Sequence, residues 1–230
     1  MAKIEYGAMV GSASGSVGGT VFSRNRYGTY MRRKGIPVNP DTAKQQNVRA
    51  ALAGVSASWR GLTAAQRLQW STWAANNPIV DRMGNAQVLA GNAAYIQLNT
   101  RIVLTGEPGI TAPPVTAGPD VLATMTLTGD IGIGTSEIAY TATPLGADEE
   151  LWVNYAVVDS AGINYVKNLY KLCTMSAAAQ ASPYDFQSDV EARFGSLQVG
   201  QIVHVLASVF DHSTGLISLP RSASVTISST

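Results

Sequence analysis

The chain has 230 residues, 46% of them hydrophobic and only 13% charged, with 22 glycines, a single cysteine and a formal net charge of +1. That length allows one large domain or two small ones. One cysteine excludes an intrachain disulfide and a four-cysteine zinc site, and no apolar run approaches the ~18 residues of a membrane span. The near-neutral total hides a split. Residues 1–106 hold 12 Lys/Arg against 3 Asp/Glu, whereas residues 107–230 hold 4 against 12. A basic half followed by an acidic half implies two faces with different partners, or subunits that dock head to tail. The low charged fraction points the same way, to a surface covered by neighbouring subunits. The N-terminal stretch lacks a signal-peptide core, and the expectation is a protein that folds in a reducing cytoplasm.

In chain order, residues 1–38 read as an extended basic arm. Gly11 to Gly19 is rich in Gly and Ser and cannot build a core. Two β-prone runs follow, Thr20 to Arg26 and Gly28 to Arg33, and they predict a hairpin turning near Arg26-Tyr27-Gly28. A two-stranded hairpin is marginal alone and must lie against its own body or a neighbour. No acidic residue occurs between Glu5 and Asp41, while Arg24, Arg26, Arg32, Arg33 and Lys34 all fall in that interval.

Residues 39–106 read as a three-helix module. Thr42-Ala-Lys-Gln45 and Thr63-Ala-Ala-Gln66 are capping boxes. Val48, Leu52, Val55 and Trp59 predict one apolar face of the first helix, which Gly61 ends. Trp70, Trp73 and Ala74 group on the second, which Asn77-Pro78 stops. Asn85 is the expected cap of the third, with Leu89, Ala93, Ile96 and Val103 on its face and Gly106 closing it. Residues 107–119 carry four prolines and two glycines, as expected of a semi-rigid linker.

From residue 120 the hydrophobic period changes from 3.6 to 2. Candidate strands are 121–128, 135–143, 151–158, 163–172, 201–210 and 216–227, with a short helix inserted at 184–195. Val203, Val205, Ala207 and Val209 alternate cleanly, as do Leu151, Val153, Tyr155 and Val157. The expected fold class is therefore α+β: an N-terminal β-arm, a small helical module, then an antiparallel β-sandwich of immunoglobulin or fibronectin type over 120–230.

No catalytic constellation emerges. His204 is mid-strand, and Asp211-His212-Ser213 are neighbours on a turn, where side chains diverge too far to form a triad. Two isolated histidines and one cysteine do not make a metal site. Cys173 reads as a small buried hydrophobe. Gly11–Gly19 lacks the Lys-Ser/Thr of a phosphate loop, and Gly129–Gly134 precedes a strand where a dinucleotide fingerprint precedes a helix. The expectation is a protein with no catalytic residue, no cofactor and no metal. Asp148, Glu149 and Glu150 form the densest acidic cluster and are the expected docking partner of the arm's Arg32 and Arg33. Interleaved Phe22, Tyr27 and Tyr30 leave nucleic acid as the alternative partner of the basic arm.

Four blocks carry a resemblance. They are Gly15-Ser-Val-Gly-Gly-Thr-Val-Phe-Ser-Arg24, Asn39-Pro-Asp-Thr-Ala-Lys-Gln-Gln-Asn-Val-Arg49, Trp59-Arg-Gly-Leu-Thr-Ala-Ala-Gln-Arg-Leu-Gln-Trp70 and Gly91-Asn-Ala-Ala-Tyr-Ile-Gln-Leu-Asn99. In this order they resemble a group of uncharacterised proteins encoded by tailed bacteriophages and prophages, over roughly residues 11–106. The resemblance implies a non-enzymatic virion component, made in the host cytoplasm. Its expected partners are other virion proteins and further copies of itself, and no membrane. The expected place is the head or the head–tail neck, with a tail or fibre-attachment role as the alternative.

Overall fold

The computed structural model describes residues 2–7, 10–35, 38–39, 41–81, 83–132, 134–163 and 165–229, so that Met1, Ala8, Met9, Ile36, Pro37, Pro40, Arg82, Ile133, Asn164 and Thr230 of the segments read above lie outside the described residues. The protein is mixed α+β, with four helices and several antiparallel sheets among those residues. It divides into two compact units, Met1–Ile96 and Gln97–Thr230, and the boundary falls inside a helix.

The first unit opens with a four-stranded sheet of β1 (Ala2–Lys3), β2 (Gly15–Val17), β3 (Thr20–Asn25) and β4 (Gly28–Arg33), in the order β1-β4-β3-β2. The expected hairpin is its centre. The expectation of two strands alone was too small: the Gly/Ser-rich segment contributes β2, and the N-terminus contributes β1. Pairing does not require a side chain, so a segment unable to build a core still completes a ladder through its backbone.

Helix α1 (Ala43–Gly61) starts at Thr42, whose hydroxyl accepts the Gln45 N–H at 3.4 Å. The return bond of the box is not formed, and Gln45 Oε1 has no partner among the described residues. Helix α2 (Ala64–Asn76) has the complete box, Gln66 N–H to Thr63 Oγ1 at 3.3 Å and Thr63 N–H to Gln66 Oε1 at 2.9 Å. The buried side of α1 is Ala51 and Val55, while Val48 and Leu52 are each 45% exposed. The predicted apolar stripe is thus rotated: Ala51 replaces Val48 and Leu52 beside Val55 on the buried side.

Trp70 is completely buried and forms the hub of the unit's core. Tyr95 packs edge-on against it with ring centroids 5.2 Å apart, Trp73 lies at 6.0 Å, and Trp59 meets Tyr95 at 5.3 Å. Trp59 and Trp73 are only half-buried.

Asn85 does not cap a helix. A small antiparallel pair, β5 (Ile79–Val80) with β6 (Ala86–Gln87), precedes α3 (Gly91–Thr105). Its inward residues are Ala94 and Tyr95 in the first unit and Leu98, Asn99 and Ile102 in the second. Gly91 lies against Ser71 of α2, where a Cβ would come within 2.6 Å of the Ser hydroxyl.

In the second unit the proline-rich segment is anchored. Asn99, fully buried, accepts the Ile110 N–H at 2.6 Å, and Gly118 lies against Leu216. Strands β7 (Thr124–Asp130), β8 (Thr135–Thr141) and β11 (Tyr184–Asp185) form one antiparallel sheet, in the order β11-β8-β7. Strands β9 (Glu149–Val158), β10 (Lys171–Met175), β12 (Ile202–Asp211) and β13 (Arg221–Thr226) form the other, in the order β10-β9-β12-β13. Helix α4 (Gln187–Phe194) lies between β11 and β12 in the chain, close to the expected 184–195.

One hydrophobic core takes Met125, Ile138 and Tyr140 from the first sheet, Leu151, Val153, Tyr155, Val203, Val205, Ala207 and Val209 from the second, and Val190 from α4. Period-2 alternation dictates this, since every second residue of β9 and β12 faces inward. The expected strand at 163–172 is displaced to 171–175. Turns closed by Ile163 N–H to Ser160 O and by Leu169 N–H to Val166 O precede it, and a bulge between Leu172 and Thr174 resets the register.

Candidate interaction surfaces

The β3–β4 turn is built by Asn25, whose Oδ1 accepts the Tyr27 N–H at 2.9 Å, and by Gly28 at φ +114°. The pairs Thr20↔Arg33, Phe22↔Met31 and Arg24↔Thr29 then fix the faces of the sheet. Arg24 and Arg33 stand on one face with Phe22, Met31 and Val17. Arg32 stands on the other with Val21, Tyr30 and Lys3. Arg32 and Arg33 therefore project from opposite faces and cannot both meet one flat patch. Arg26 lies at the tip, its guanidinium 6.0 Å from the Tyr27 ring. All five predicted cations, Arg24, Arg26, Arg32, Arg33 and Lys34, are exposed. Among the described residues none has a carboxylate partner.

The sheet is tied to its own body by residues that the sequence reading passed over. Lys3 Nζ meets Asp81 Oδ2 at 2.6 Å, and Tyr27 Oη accepts the Ala90 N–H at 3.4 Å. Asp81 also accepts the Met83 and Asn85 N–H groups at 2.7 and 3.0 Å and so shapes the β5–β6 turn. The hydrogen bond from Lys3, with these two N–H groups, lowers its carboxyl pKa to about 2 against the opposing effect of burial. The signal for this residue was available: Asp81 is the sole acidic residue between Asp41 and Glu107. A cleft of about 360 Å³ lies beside the tether, lined by Lys3, Asn25, Tyr27, Tyr30, Asp81 and Gln87.

The acidic loop has internal partners. His212 Nδ1 lies 3.3 Å from Glu150 Oε1 and its Nε2 lies 3.5 Å from Asp148 Oδ1. Glu150 is only 7% exposed, and Glu149 accepts the Gly146 N–H at 2.8 Å. His212, reached through the β9–β12 pairing, thus sits between two of the three carboxylates of the expected docking loop. Asp148 alone remains well exposed.

The same holds for other acids of this unit. Asp211 accepts the Ser213 N–H at 2.8 Å and the Thr214 hydroxyl at 2.8 Å. Asp130 accepts the Gly132 N–H at 2.8 Å, and Asp185 the Gln187 N–H at 3.0 Å. Asp189 takes the Tyr184 hydroxyl at 2.5 Å, and Asp159 the Gln201 side chain at 2.7 Å. These carboxylates organise turns and caps.

His204 is half-buried on β12, and desolvation lowers its imidazole pKa. Cys173 lies on β10, and its side chain falls outside the described residues. Among the described residues no group of three or more His, Cys, Asp or Glu could hold a metal ion, and no helix is long and apolar enough to cross a membrane. No protein-family model matches the chain, and a comparison with curated proteins returns no match.

Proposed function

We propose that the chain is a non-enzymatic structural component of a tailed phage particle, attached at the head or the head–tail neck through its first unit. The observation that carries this reading is uncovered apolar surface on a regular element. Nearly all of the first two turns of α1 is exposed, and Val48 and Leu52 stand one turn apart on the outside. A helix half without packing is marginal in water, so such a surface suits an element completed by a neighbouring subunit. The four blocks that resemble phage proteins lie mostly in this same unit.

The second unit fits the projecting module of that reading. Its three-on-four strand order, β11-β8-β7 with β10-β9-β12-β13 around a shared core, suits an immunoglobulin- or fibronectin-like sandwich in which α4 occupies the connection before β12. A tail or fibre-attachment component is the second reading, because the same uncovered helix would serve there equally.

The test is mass spectrometry and immunogold microscopy of purified particles from cells that carry the gene, with wild-type protein and with Val48→Asp/Leu52→Asp. The expected outcome is stoichiometric incorporation of the wild type and loss of the variant, while the variant's monomer melts within a few degrees of wild type. Absence of the wild-type chain from particles overturns the reading.

A further inference from the structure

The two halves of the charge split are engaged differently. The second unit's carboxylates accept from turn N–H groups, hydroxyls and His212. In the first unit Asp81 holds Lys3 and Asp41 lies 3.9 Å from Arg49, while Arg24, Arg26, Arg32, Arg33 and Lys34 have no carboxylate partner among the described residues. A self-docking interface would need a free acidic patch to match a free basic one. Among the described residues the basic patch is clustered and without carboxylate partners, whereas the exposed acids Glu107, Asp120 and Asp148 are scattered along the chain.

We infer that the open face of the first sheet binds the phosphate backbone of duplex DNA. Arg24 and Arg33 share this face and stand four residues apart along the ladder, about 13 Å at ~3.3 Å per residue. With one phosphate per ~3.4 Å of axis on each strand, that span covers about four phosphates. Arg26 at the tip and Lys34 beyond the end of β4 extend the row in both directions. Opposite the open face, Lys3 and Asp81 tie the sheet to its body, so the arginines are presented on a supported surface. Single strands are held chiefly by stacking on several aromatic rings. Phe22 is the one aromatic residue of β3 and β4 on this face, so duplex is favoured over single strand. The contacts are to backbone, and binding is independent of sequence. The inference stands apart from the virion reading and does not depend on where the protein resides.

The test is fluorescence anisotropy of the full-length protein with a labelled 30-bp duplex of arbitrary sequence between 50 and 300 mM salt. Four phosphate contacts predict a slope of about −3 to −4 in log affinity against log salt. Arg24→Gln/Arg33→Gln should reduce the slope by about 2 and weaken binding roughly tenfold to a hundredfold at 100 mM salt. Arg24→Lys/Arg33→Lys should keep most of the binding, and Lys167→Gln, an exposed change in the second unit, should change nothing. Circular dichroism of each variant checks its fold. No duplex binding at 50 mM salt, or binding that the Gln pair leaves unchanged, overturns the inference. So does a Gln pair that abolishes self-association in sedimentation velocity while duplex affinity stays intact, because the occupant is then a second copy.

Discussion

The two units treat the same kinds of residue in opposite ways. In the second, strand alternation buries a continuous aliphatic core, and most carboxylates find a donor within their own turn or across one strand pair. In the first, an aromatic cluster around Trp70 is the core, and much else is left outside: Val17, Val48, Leu52, Leu68 and five cations of the sheet. The contrast teaches that net charge is a poor guide to a docking surface. Most carboxylates of the acidic half serve local architecture, while five cations of the basic half, Arg24, Arg26, Arg32, Arg33 and Lys34, are exposed with no carboxylate partner among the described residues.

Four changes test this contrast. The largest effect belongs to Trp70→Ala, which should destabilise by about 3–5 kcal/mol in urea unfolding, because the emptied site lies between Tyr95 and Trp73. Trp59→Ala, at a half-buried ring, should cost about half as much; equal costs would mean that Trp59 is as much a core residue as Trp70. Next, His212→Ala leaves the nearly buried Glu150 without its partner and should cost about 1–3 kcal/mol. A neutral result would mean that the acidic loop is solvated and free to dock after all.

The third concerns the engaged acid of the first unit. Asp81 has a folded pKa below its unfolded value near 3.9, so its contribution is complete above that value and is lost as pH falls through about 2. Carboxyl NMR shifts should show Asp81 still ionised at pH 3, and Lys3→Ala should move its titration upward. The smallest effect is expected for Arg32→Ala/Arg33→Ala, within about 0.5 kcal/mol of wild-type stability, since both are exposed and have no carboxylate partner among the described residues. A larger cost would show that these arginines hold the fold together.

How much the sequence disclosed followed the range of the interactions. Thr63 and Gln66 are three residues apart, and their reciprocal box is formed as read. The alternation of β9 and β12 is equally local and equally legible. The rotation of α1 was hidden because Ala51 and Leu52 are both apolar, and only packing decides which of them faces inward. Asn85 looked like a cap because Asp81, four residues earlier, had not been recognised as the centre of a turn. The acidic loop looked free because His212 lies 62 positions from Glu150 and meets it only through strand pairing. On the basic side the reading named Arg24, Arg26, Arg32, Arg33 and Lys34, all of which are exposed. What it lacked was the register, which puts Arg32 and Arg33 on opposite faces.

The pairing of β9 with β12 also bears on how the chain is made. β12 begins 44 positions after β9 ends, so at 5–20 residues per second a growing chain carries β9 for about 2–9 s with the edge that β12 covers still open. In that interval Leu151-Trp-Val-Asn-Tyr-Ala-Val-Val158 is an uncharged, β-prone run of the kind that associates with its own copies. Glu149 and Glu150 stand immediately before it, where flanking charges keep a nascent strand apart from its neighbours. The two glutamates thus have successive duties: repulsion between unfinished chains, then a turn and a histidine once the strand is paired.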